Sequence, residues 1–367
     1  MRDLEDINDD LIIYVLDRLR ILNERIARNP DARINYAAEI DRLNQVYNQW
    51  LDEAERVMEE RLARSYLKGI NRADRMLPDG AVTGIALLAV AGADREGVAP
   101  ISQIAQNILK NYPSTHTTYS VFEKAMKESF EATRLPVIRS VSDKIQEIGF
   151  LATDSSYRSA DPLTRRQLSQ QIMDRFVKEG VTGISRRDGT TMRIDTYSEM
   201  LARSQTLNAA REANINRIQE RGNDLVLISV HYPCSDLCEN YQGRIFSLSG
   251  ESEEYPALEE ATEPSEEGHL FHWNCRHTLS PYIPGLTEVP KPGETHRRNQ
   301  EMYEAEQRQR AIERNIREWK RREVAALTDV EKDKAKRYVE SWQKRQREHI
   351  DANKFLRRDY SREQIAI

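Results

Sequence analysis

The sequence predicts a mostly helical α+β protein. Long N-terminal and C-terminal helical arms flank a small α+β domain with a candidate zinc-clamped loop pair. Three observations lead there. Apolar residues recur at helical steps towards both ends of the chain. The pattern turns to short β-prone runs near Gly180. All three cysteines and four of the seven histidines fall between Leu225 and Gly285. The expected organisation is a helical arm or hairpin over 1–77, a linker or irregular segment over 78–100 and a helical region over 101–179. An α+β domain over 180–290 and a charged helical arm over 291–367 complete it.

In the first arm Leu11, Val15, Leu19, Leu22 and Ile26 share one helical face, with Asn8, Asp9 and Asp10 ahead of them as candidate caps. Asn29-Pro30-Asp31 breaks the run. A second stripe follows through Ile40, Leu43, Tyr47, Trp50, Ala54 and Val57. The remaining faces are strongly charged. Two readings are open: a bundle core, or an arm whose narrow stripe is completed by another chain. The weakly polar run Ala81–Ala93 is too short to cross a bilayer as a helix, which takes about 20 residues. Breaks are expected at Tyr112-Pro113, Leu135-Pro136 and Asp161-Pro162.

Past Gly180, Val181–Ser185 and Thr190–Ile194 read as a hairpin turned by Asp188-Gly189, because glycine takes the positive φ of the turn. Thr196-x-x-Glu199 fits a capping box for a helix running to about Arg221 and stopping at Gly222. Leu225–Val230 and Gly243–Leu248 read as strands, and Glu251–Glu267 as a solvated acidic loop. The C-terminal arm has narrow stripes at Ile312, Ile316 and Trp319 and at Val339 and Trp342.

Charged residues make up 31% of the chain and the mean hydropathy is −0.73, the profile of a soluble protein with much exposed surface. A net charge of −5 argues against a general nucleic-acid binder. A local exception is the C-terminal arm. There Arg317, Lys320, Arg321, Arg322, Lys344, Arg345 and Arg347 are candidate nucleic-acid contacts, against the plain reading of a solvated mixed-charge helix. The N-terminus lacks a basic start followed by an apolar core, so secretion is not expected. An odd number of cysteines then favours a reducing compartment over a disulfide framework.

Cys234-x3-Cys238 and His272-x2-Cys275 form two close pairs far apart in sequence. Pairs that converge from distant loops are how structural zinc sites are built, since thiolates and imidazoles give tetrahedral coordination. Cys234, Cys238, His272 and Cys275 are therefore the expected Zn2+ ligands, with His231, His269 and His277 as alternates. The bland alternative is cysteines acting as buried small hydrophobes. Catalysis is not expected, because the order of residues fits no zinc deaminase pattern. Asn274, Arg276 and Gln242 are read as hydrogen bonders that fix loops.

Several motifs carry a family resemblance. They are Ser229-Val-His231, Cys238-x2-Tyr241-Gln242-Gly243-Arg244-Ile245-Phe246-Ser247, Tyr255-Pro256-x-Leu258, His272-x-Asn274-Cys275-Arg276-His277 and Pro281-Tyr282-Ile283-Pro284-Gly285. In that order they resemble the minor capsid protein 2 group of tailed-phage minor capsid proteins, related to Mu F-type head morphogenesis proteins. His269 departs from the glycine-leucine pair such relatives carry. The resemblance implies a structural, non-enzymatic minor head protein, present in several copies in the capsid interior or at the portal vertex. Portal protein, major capsid or scaffold protein and packaged DNA would be its partners. Assembly would take place in the host cytoplasm without a membrane, with a role in head assembly and in DNA packaging or delivery. The competing classes are a metal-dependent hydrolase or nuclease built on the Cys/His cluster, and a delivered nucleic-acid-binding effector.

Overall fold

The computed structural model describes residues 4–77, 103, 113–186, 189–265, 268–273, 275–290 and 298–365. The expected linker over 78–100, with its run 81–93, lies outside them. Helix α1 spans Leu4–Arg28 and α2 spans Tyr36–Met76. The break between them falls at Asn29-Pro30-Asp31 as expected, where the Asn29 side chain accepts from the Asp31 amide at 3.0 Å.

Next come α3 (Pro113–Glu131), α4 (Arg134–Leu151), α5 (Ser155–Ser159) and α6 (Pro162–Glu179). The break expected at Leu135-Pro136 falls just ahead of it, between Glu131 and Arg134. Pro136 sits in the first turn of α4, where its missing N–H leaves no intrahelical bond unmade. Asp161 caps α6 by accepting from the amides of Leu163 and Thr164 at 2.9 and 3.2 Å, with Pro162 at the first helical position.

Strands β1 (Thr182–Ser185) and β2 (Thr191–Arg193) pair antiparallel, as the hairpin reading requires. Helix α7 (Ile194–Glu220) follows β2 without a loop, so the expected capping box at Thr196 is not the helix start. The Ile194 amide donates to the Val181 carbonyl at 2.8 Å and draws the helix start two residues earlier. Glycine at position 222, with φ of 72°, follows the end of α7. Then come β3 (Leu225–Ile228), α8 (Asp236–Glu239), β4 (Ile245–Ser247), α9 (Leu258–Thr262) and β5 (Leu279–Pro281). The strands form an antiparallel sheet ordered β4-β3-β5. Helices α10 (Asn299–Val324) and α11 (Asp329–Ala352) and a short 3-10 turn (Tyr360–Glu363) complete the described chain.

The chain divides into two compact units, each assembled from separated segments. Residues 1–54, 129–199 and 305–367 make the first, and 55–128 and 200–304 the second. In the first, α1 packs on α4 and α6. Leu11, Val15, Leu19, Leu22 and Ile26 are buried, so of the two readings open for this stripe the bundle core is the one the structure supports. The reason is that α4 and α6 bring apolar residues of their own, Val137, Val141, Ile145, Met173 and Phe176, all buried. Trp50 meets Phe130 edge-on at 5.8 Å and donates to Asn8 at 3.1 Å. Helices α10 and α11 pack through Ile312, Ile316 and Val339, with Trp319 stacked on Tyr338 at 4.0 Å.

The buried guanidinium of Arg321 donates to Asp9 at 2.8 Å and to Asp195 at 2.9 Å, joining α10, α1 and α7. Burial opposes ionisation of Asp195. The charges of Arg321 and Arg193 outweigh that and hold its carboxyl below the usual carboxylate range.

In the second unit, Leu62, Tyr66 and Ile70 of α2 pack with Tyr119 and with Ala209 and Ala213 of α7. The helices approach closely at Gly69, where a Cβ would fall on the carbonyl oxygen of Ala210. The sheet adds Val226, Ile228, Phe246 and Leu279, and the three cysteines join the same core.

Candidate functional site

Sheet register explains why two distant pairs of ligand types meet. Ile228, the last residue of β3, pairs with Leu279, the first of β5. The chain leaving β3 and the chain entering β5 therefore emerge from the same end of the sheet. Ser229 and Thr278 extend the pairing, with the Ser229 amide donating to the Thr278 carbonyl at 2.8 Å and the Thr278 amide to the Ser229 hydroxyl at 3.0 Å. Beyond them lie Cys234 and Cys238 on one side and His272, Cys275 and His277 on the other.

Loop contacts fix these residues further. The Asn299 side chain accepts from the Cys234 amide at 2.9 Å and donates to its carbonyl at 3.1 Å. The Arg276 guanidinium donates to the Pro233 carbonyl at 3.1 Å. Gly268, with φ of 98°, brings its loop against the backbone of Leu237, where any Cβ would clash. Its carbonyl accepts from the Tyr241 hydroxyl at 3.0 Å.

Two overlapping groups result, in each of which the ligand atoms lie within 4.8 Å of one another. One is Cys234, Cys238 and His277; the other is Cys238, His272 and Cys275. All four expected ligands are thus in the cluster, and the alternate His277 joins them. His231 and His269 belong to neither group. The His231 ring lies 4.1 Å from that of His277, and the His269 ring 5.7 Å from that of His272. The group can hold a metal ion.

Two of its thiols, Cys238 and Cys275, are poor nucleophiles as they stand. The neighbouring Cys234 thiol together with burial pushes Cys238 up to about 12, and Cys238 with burial pushes Cys275 up to about 11. A cation among them would displace those protons. Burial lowers His277 and, helped by Arg276, His231, so both rings favour the neutral form in which a nitrogen lone pair is free.

Sequence reasoning missed Arg211 and Asn299, whose contacts with the cysteine loops lie 64 and 65 positions away. No local pattern links residues so far apart.

The candidate nucleic-acid contacts separate into two sets. Arg321 is buried between carboxylates. Arg322 pairs with Glu318 at 2.9 Å, Arg317 donates to the Arg362 carbonyl at 2.9 Å, and Lys320 donates to Gln364 at 2.6 Å. On α11, Lys344, Arg345 and Arg347 are exposed.

Fold and site together define the class: a mostly helical α+β protein whose small sheet carries a buried thiol–imidazole cluster suited to a metal. The family profile described as phage minor capsid protein 2 matches residues 8–351, and the chain belongs to that family. It is a phage structural protein of the minor capsid type. It is 22% identical over 276 residues to a structural protein of Lactococcus phage LL-H, covering 72% of each chain. It is also 37% identical over 97 residues to a structural protein of Lactococcus phage mv4, covering 25% of this chain and 78% of the relative. No solved structure matches. Among the described residues no helix is long and apolar enough to cross a membrane.

Proposed function

We propose that the protein acts in head assembly at or near the portal vertex, in several copies, in contact with portal protein and with major capsid or scaffold protein. The observation that carries this reading is the family match over residues 8–351. The role is structural rather than catalytic, which agrees with cysteines that are all buried. Zinc is the metal of the cluster in this reading, held by Cys234, Cys238, His272 and Cys275 as a clamp on the two loops that leave one end of the sheet. Lys344, Arg345 and Arg347 supply a modest, salt-sensitive contact with packaged DNA. The test is an asymmetric reconstruction of the virion, with crosslinking to portal protein. Copies confined to one vertex and crosslinked to portal are expected. Copies spread evenly over the shell would refute the vertex placement.

A further inference from the structure

We propose that His272 is the imidazole ligand of a three-thiolate, one-imidazole zinc centre, and that Gln242, His277 and Arg211 surround it to hold the thiolates. The inference rests on the zinc reading above and adds to it the reason for His272 over His277 and the residues that hold the ligands in place. Two overlapping groups sharing Cys238 offer two imidazoles. If all three cysteines bind, tetrahedral zinc has room for one.

The Nδ1 contacts of the two rings separate them. His272 Nδ1 lies 2.8 Å from the Trp273 carbonyl oxygen. A carbonyl only accepts, so Nδ1 carries the hydrogen and Nε2 carries the lone pair. That Nε2 is buried and, like Nε2 of His277, has no hydrogen-bond partner among the described residues, so the two rings differ in what holds Nδ1. A ring held through one nitrogen by a backbone carbonyl, with the other nitrogen free, is the arrangement of a metal-bound histidine. His277 instead places Nδ1 3.4 Å from Cys275 Sγ, the position of an N–H donor to a thiolate.

Gln242 plays the same part at Cys234. Its Oε1 accepts from the His231 amide at 2.8 Å, which fixes the orientation of the side-chain amide. Its Nε2 then faces Cys234 Sγ at 3.0 Å as a donor. Arg211 is 7% exposed, lies 4.1 Å over the Phe271 ring and donates to the Cys275 carbonyl at 3.3 Å and to Asn208 at 2.7 Å. These partners are neutral, and a buried cation with only neutral partners among the described residues is costly. Zn2+ with three thiolates and one neutral imidazole carries one net negative charge. That charge would sit beside Arg211 and balance it.

The experiment uses the full chain, stripped with a chelator and refilled with Co2+. The wild type is expected to bind one ion with the visible and charge-transfer bands of a tetrahedral thiolate site. His272→Ala should lose that spectrum, and His272→Cys should regain it with stronger thiolate charge transfer. His277→Ala should keep one tetrahedral ion at an affinity about 10–100-fold weaker. Gln242→Glu keeps the acceptor for the His231 amide but removes the donor to Cys234. It should weaken binding by a similar factor and shift the charge-transfer band, which a purely structural role would not do. The assignment is overturned if His277→Ala abolishes binding while His272→Ala, or His272→Cys where the alanine variant does not fold, leaves the wild-type spectrum unchanged. A wild type that binds no metal would instead refute the zinc reading beneath it.

Discussion

Arg321 shows how far a residue's sequence neighbourhood can mislead. It sits in the run Lys320-Arg321-Arg322, off the Ile312, Ile316, Trp319 stripe, and helical phase alone would turn it to solvent. Its partners are Asp195 and Asp9, which lie 126 and 312 positions away and leave no local trace. The cysteines were legible for the opposite reason. Ligand chemistry demands particular residue types, and the spacing within each pair is local. Which histidine joins them depends on ring hydrogen bonds that no spacing encodes. Replacing Arg321 with Ala would take the shared guanidinium from two buried carboxylates while Arg193 stays beside Asp195, and a loss of about 3 kcal/mol is expected by urea unfolding at pH 7. The sign of the pH dependence follows from Asp195, whose folded carboxyl is held low. Its contribution is complete above the unfolded value of about 3.9 and is lost as pH falls through the folded value. The gap between wild type and Arg321→Ala should therefore narrow in acid. A gap that stays constant from pH 7 to pH 3 would trace the loss to packing alone.

At the level of elements, helices announced by long stripes were legible, and short elements made by pairing were not. Helices α1 and α2 follow their apolar periodicity. Strand β5, Leu279–Pro281, is three residues long and ends in proline, so nothing local marks it as a strand. It exists because β3 supplies its partner. Helix α11 separates charge from core in the way its sequence suggests. Val339 packs inward while Lys344, Arg345 and Arg347 face out, with Arg345 lying 4.5 Å over the Trp342 ring. Changing the three cations to Gln should lower affinity for double-stranded DNA and flatten its salt dependence by roughly one unit of slope for each phosphate no longer neutralised. Fluorescence anisotropy from 50 to 200 mM salt measures this. An unchanged slope would remove α11 from the DNA-contacting surface.

For the molecule as a whole, the helical stripes at the N-terminal end serve its own core. Deleting residues 4–28 should strip α4 and α6 of their cover, and hydrogen exchange should show their amides losing protection. Preserved protection in a truncated protein that fails to enter heads would restore the docking role to α1. The separated segments of the first unit have a consequence for synthesis. The second unit uses nothing beyond residue 304, whereas the first needs residues 305–367 as well as 1–54. At a translation rate of about 5–20 residues per second, the 312 positions between Asp9 and Arg321 take roughly 15–60 s to emerge. Through that interval α4 and α6 can already cover the apolar side of the earliest helix, but Asp9 must wait for Arg321, so the portion begun first is the last to close.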